Sequence, residues 1–141
     1  RLQGGRPSQG ATQGGQEENE LLHETIVLLG YYCLQRGENQ GVMCYGEGQT
    51  LLSKIASLPL HYFIDERGRA MLFPTILATC FGSVQNRNFL QTEMNLSLLR
   101  DFLGAALEKK ATPAAEGGGT LVLVVSGFGG RFPASLWEEA L

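Results

Sequence analysis

Residues Glu66 to Phe81 read ERGRAMLFPTILATCF, an apolar run of helical length with a proline at its centre. Asp65 stands where an N-cap side chain would accept the first free N–H groups, and Glu66 puts negative charge in the first turn, where the helix dipole favours it. Pro74 removes one N–H and crowds the carbonyl four residues earlier, at Ala70. The sequence therefore predicts a buried helix that bends there or breaks into two segments.

The flanking stretches have helical periodicity too. From about Glu18 to Arg36 the chain opens with acids and turns densely apolar, with Gly37 as a natural stop, which predicts a helix buried on more than one side. Thr50 to Leu58 places Leu51, Leu52, Ile55 and Ala56 on one face, and Pro59 ends it. Leu96 to Leu107 repeats that pattern with Leu98, Leu99, Phe102, Leu103 and Ala106. Both read as amphipathic helices on a shared core.

An internal repeat appears when ENQGVMCYGEGQTLLSKIA is laid on QNRNFLQTEMNLSLLRDFL at an offset of 47 residues. Asn39 meets Asn86, Val42 and Met43 meet Phe89 and Leu90, and Leu51 and Leu52 meet Leu98 and Leu99. Ile55 meets Phe102, and upstream Cys33 meets Cys80. Periods of about 40 to 47 residues belong to armadillo and HEAT-like stacks. The expectation is an all-α, right-handed, armadillo/HEAT-like stack of about two repeats with a C-terminal helix. Such stacks normally hold more repeats, and the chain has neither an initiator Met nor a C-cap after WEEAL, so it reads as a fragment of something longer.

Residues 1–17, rich in Gly and Gln, cannot repay the entropy of ordering and read as a disordered linker. Residues 18–108 form the helical domain, residues 109–130 a flexible Gly-rich insertion, and residues 131–141 a last helix with Pro133 in its first turn. Thr120 to Val125, TLVLVV, favours a strand by composition but has no partner strand, so its state stays open.

Of the 141 residues 43% are apolar, enough for a real core, and the net charge of −3 gives no general electrostatic reason to bind nucleic acid or an anionic membrane. Cys33, Cys44 and Cys80 are odd in number and widely spaced, which favours a reducing compartment. No run reaches the length of a membrane span and no signal-peptide core precedes the domain.

The search for chemistry is negative. His23-Glu24 lacks a second histidine at position 27, which is Val27, so no HExxH zinc site forms. The scattered Cys and His carry no zinc-ligand spacing. TLVLVVSGFGG mimics a phosphate-binding glycine turn, but the third glycine would fall at Phe132. A GxSxG elbow around Ser126 fails at Val124 and Phe128. The sequence predicts no enzyme, no metal, no cofactor and no small-molecule substrate.

Binding surfaces are harder to exclude. Arg67, Arg69 and Arg87 would meet phosphate or an acidic partner segment if they converged at one end of the stack; each alone is ordinary solvated charge. Arg131, at the start of the last helix, is a further candidate partner-binding residue, with Phe132 and Trp137. Tyr31, Tyr32, Tyr45, Tyr62 and Phe63 read as core, whereas Phe132 and Trp137 serve either as a latch docked back on the stack or as an aromatic anchor for a partner.

Taken in order, LLHETIVLLGYY, ENQ, LLSKIASLPLHYFID, MLFPTILATCF, NFLQTEM and RFPASLWEEAL resemble the C-terminal region of one family, the S-phase cyclin A-associated proteins in the endoplasmic reticulum (SCAPER). The likeness runs from about Leu21 to Leu103 and resumes at Arg131 to Leu141. Its specificity rests on LPLHYF at 58–63 with Asp65, LFPT at 72–75, and RFP followed by WEEA at 131–140. Where the family has proline after the aspartate, this chain has Glu66, compatible with the same helix start. The resemblance implies a non-catalytic adaptor, cytoplasmic and peripheral on the cytosolic face of the endoplasmic reticulum. It implies association with cyclin A and a part in tubulin mRNA autoregulation. There the family bridges ribosomes translating tubulin, marked by a tetratricopeptide-repeat reader of the nascent chain, and the cytoplasmic deadenylase complex. Ribosomal RNA, met through the arginines, is the alternative partner.

Overall fold

The computed structural model describes residues 11–111. The expectations for residues 1–10 and for 112–141, with Arg131, Phe132 and Trp137 among them, lie outside the described residues. Within them the chain is all-helical. In order come α1 (Ala11–Cys33), α2 (Gly37–Val42), α3 (Leu51–Ala56), α4 (His61–Ile64), α5 (Glu66–Cys80), α6 (Val84–Glu93) and α7 (Ser97–Ala111).

α5 is the centre of the fold, and its apolar run explains why. Every residue from Leu72 to Cys80 is buried, so this helix is packed all round rather than along one stripe. The helix does not break at Pro74, which lies buried inside it. Neighbours on every side hold it continuous where an isolated helix would part. Its start also differs from expectation. Asp65 is the N-cap residue in extended geometry, but its side chain makes no capping bond; its carbonyl accepts the Arg69 N–H at 2.9 Å. Side-chain caps sit elsewhere, with Thr50 accepting from the Ser53 N–H at 3.1 Å and Ser83 from the Asn86 N–H at 3.3 Å.

α1 begins at Ala11, inside the stretch expected to be a linker. It is buried on one side only, through Ile26 and Cys33, while Leu21, Leu28, Tyr31 and Tyr32 stay exposed. Of the aromatics expected in the core, Tyr62 and Phe63 are buried, whereas Tyr31, Tyr32 and Tyr45 face solvent, Tyr45 at 85% exposure. Nor does Gly37 stop α1. Gln35, in the left-handed region at φ +54°, turns the chain, and Gly37 opens α2.

The chain repeats itself in detail at an offset of 47 residues. α1 ends at Cys33 and α5 at Cys80; α2 starts at Gly37 and α6 at Val84. Gln35 at φ +54° is matched by Gly82 at φ +78°, so each long helix ends on one left-handed residue. Backbone bonds recur with it: Arg36 N–H to Cys33 O at 3.1 Å, Ser83 N–H to Cys80 O at 3.0 Å. Asn39 donates Nδ2 to the Tyr32 carbonyl at 2.6 Å, and Asn86 donates Nδ2 to the Thr79 carbonyl at 2.7 Å. The paired asparagines thus do one job, tying each short helix to the last turn of the long helix before it.

A buried polar seam joins the two halves. Gln40 Nε2 donates to the Ala78 carbonyl at 2.9 Å and to the Phe81 carbonyl at 2.8 Å, at the end of α5. Asn86 Nδ2 donates to the Gln40 carbonyl at 2.9 Å as well as to Thr79. Deeper in, the Thr75 hydroxyl donates to the Ile26 carbonyl at 2.7 Å, linking α5 to α1. Each such bond contributes about 1 kcal/mol net, but losing the donor strands a buried carbonyl at a larger cost, so the seam fixes register more than it adds stability.

Candidate interaction surface

Two exposed features follow from this packing. One is the outer face of α1, where Leu21 and Leu28, each 66% exposed, run up to Tyr31 and Tyr32. Spacings of seven and three or four residues stack these side chains on one face of a helix. The other is a cleft of about 300 Å³ where the end of α5 meets α6 and α7. Leu77, Leu90, Leu99 and Leu103 form its apolar walls, and Arg87 and Arg100 stand at its edge, both exposed.

The structure separates the arginines that the sequence singled out. Arg67 and Arg69 lie in the first turn of α5, whereas Arg87 lies in α6, just beyond the other end of α5. Roughly 16 Å of helix axis divides Arg69 from Cys80. Arg69 is half-buried with its Nε buried and unpartnered, and Arg67 is exposed. The three therefore do not converge. Arg87 instead shares the cleft with Arg100, a pairing that sequence reasoning missed. The signal was available, since the 47-residue offset sets Arg100 against Ser53 and Arg87 against Gln40, charge where the first half has none.

The two histidines both contact Tyr62. His23 Nε2 lies 2.8 Å from the Tyr62 hydroxyl with the rings edge-on, and the His61 ring is tilted against Tyr62 at a centroid distance of 4.3 Å. Burial pushes the Tyr62 hydroxyl above its ordinary pKa. Burial likewise pushes the Cys33 and Cys80 thiols up to about 11, and raises Cys44 as well, which keeps all three protonated and poorly nucleophilic at neutral pH. The three cysteines are free. Among the described residues no cluster of three or more His, Cys, Asp or Glu side chains could hold a metal ion, and no helix is long and apolar enough to cross a membrane.

The chain is 35% identical over 127 residues, 85% of its length, to the Homo sapiens S phase cyclin A-associated protein in the endoplasmic reticulum. It carries a SCAPER-like region. That region corresponds to 9% of the human SCAPER chain, so the whole relative is far larger than this helical unit. No family model matches the sequence. No solved structure matches it either. The described residues of the SCAPER-like region present an apolar α1 face and an arginine-edged cleft on an all-helical body.

Proposed function

We propose that this SCAPER-like region is a non-catalytic protein-interaction module, built as a right-handed armadillo/HEAT-like stack of about two repeats. The observation that carries the reading is the similarity across 85% of the chain to a protein named for its association with cyclin A and the endoplasmic reticulum. The 47-residue recurrence of helix ends, left-handed residues and asparagine ties supports the stacked-repeat part of it. Within a longer protein the module acts as an adaptor. It links ribosomes translating tubulin, through the reader of the nascent chain, to the deadenylase complex, and it sits peripherally on the cytosolic face of the endoplasmic reticulum. The exposed α1 face offers the aromatic and leucine side chains that anchor protein partners.

Direct contact with ribosomal RNA through arginine is the second reading. The separation of Arg67 and Arg69 from Arg87 along α5 favours the protein partner, because phosphate binding gains from clustered cations. Capture of tubulin-translating ribosomes by the full-length protein, with and without this region, tests the first reading. Loss of capture on deletion with weak salt dependence is the expected result. Capture that persists without the region overturns it, and steep loss with salt transfers the assignment to RNA.

A further inference from the structure

The first half of the stack shows what fills its open side. Gln40, Met43 and Leu52 are buried there, and the Gln40 amide caps the last turn of α5 through the Ala78 and Phe81 carbonyls. Advanced by 47 residues, the same three positions are Arg87, Leu90 and Leu99, and they line the cleft. The cleft is thus the second-half image of a surface that receives the C-terminal end of a helix. A guanidinium in place of the amide strengthens that role. It brings a full positive charge and more donors to meet the negative end of a helix dipole, and Arg100 adds a second charge.

Residues 131–141, RFPASLWEEAL, carry the complement. Phe132, Leu136 and Trp137 supply apolar bulk, and Glu138 and Glu139 put two carboxylates near the end of the segment, opposite in sign to the pair at the cleft. The tether is long enough. Residues 112–130 reach up to about 60 Å when extended, against roughly 22 Å for the length of α7.

We propose that residues 131–141 dock intramolecularly in the cleft between α5, α6 and α7, with Glu138 and Glu139 facing Arg87 and Arg100 and Trp137 among the leucines. This contact stands independently of which partner the module binds, and its failure would leave the interaction reading untouched. Trp137 is the only tryptophan, so its fluorescence reports the contact in the intact chain. Emission should be blue-shifted and protected from acrylamide in the wild-type protein. Substituting Arg87→Glu and Arg100→Glu together should shift it to the red and expose it, with helix content unchanged because both side chains are on the surface. Adding Glu138→Arg and Glu139→Arg to that variant should restore the blue shift. Solvent-like emission in the wild-type chain would overturn the proposal, as would emission indifferent to the arginine reversal. A blue shift lost on dilution would assign the cleft to a second copy instead and overturn it equally.

Discussion

Replacing Asn86 by Asp tests the seam with almost no change in shape. Asn86 is fully buried, its Nδ2 donates at 2.7 Å to Thr79 O and at 2.9 Å to Gln40 O, and its Oδ1 has no partner. In Asn86→Asp an oxygen faces those two carbonyls. Two bonds worth about 1 kcal/mol each are lost, and an ionised carboxylate is left buried among acceptors. Removing one partner of a buried charge costs about 3–5 kcal/mol, and a similar cost is expected here near pH 7. The new acid escapes by staying protonated, so its folded pKa rises above the unfolded value of about 3.9. The folded state then holds a proton that the unfolded state releases. The variant's stability is greatest below the unfolded pKa and falls as pH rises toward the folded one, by about 1.4 kcal/mol for each pKa unit between them. Urea denaturation of wild type and variant across the acidic to neutral range measures this directly. Asn39→Asp provides the control, because its bond to the Tyr32 carbonyl is exposed. A loss below about 1.5 kcal/mol is expected there. Equal, small losses at both positions, or an Asn86→Asp penalty that does not grow with pH, would refute a dry seam.

Gly68→Ala should destabilise although alanine is the better helix former by about 1 kcal/mol. Its Cβ would lie 2.5 Å from the His61 carbonyl oxygen and 2.7 Å from the Tyr62 Cα, both backbone atoms that cannot rotate away, so a net loss of about 1–3 kcal/mol is expected by denaturation. Leu90→Ala, deleting a core side chain at 1% exposure, should cost about 2–5 kcal/mol, whereas Tyr45→Ser at 85% exposure should stay within about 0.5 kcal/mol. Alkylation followed by mass spectrometry should modify half-buried Cys44 first. Cys33 and Cys80, with thiols near 11, should react only as fast as the fold opens, and early modification of either would contradict their burial.

The helical class and the centrality of α5 were legible because apolar periodicity and a buried run are local signals. The 47-residue offset was legible in Asn39 and Asn86 and in Cys33 and Cys80, although sequence could not tell that the two asparagines perform the same tie in different degrees of burial. What it misjudged depended on neighbours. α1 looked buried on more than one side because LLHETIVLLGYY is densely apolar, yet it is buried on one side only, leaving Tyr31 and Tyr32 in solvent. Of the bend or break expected at Pro74 the break is absent, because propensity counts the missing N–H and not the packing that holds the helix together. Asp65 stood at the right position without making the expected bond. The site was least legible. Arg67 and Arg69 stand together at the start of α5, but the length of that helix separates them from Arg87, whose companion in the cleft is Arg100.

Native-state hydrogen exchange on the intact chain tests most directly whether the two halves form one stack sharing α5, the rigid body that a scaffold needs. Amides from Leu72 to Cys80 should exchange only through global unfolding, and those of the α1 segment around Ile26 and of α6 around Asn86 should open together with them at the same free energy. Two separate opening free energies, with α1 to α3 exchanging independently of α5 to α7, would contradict the account.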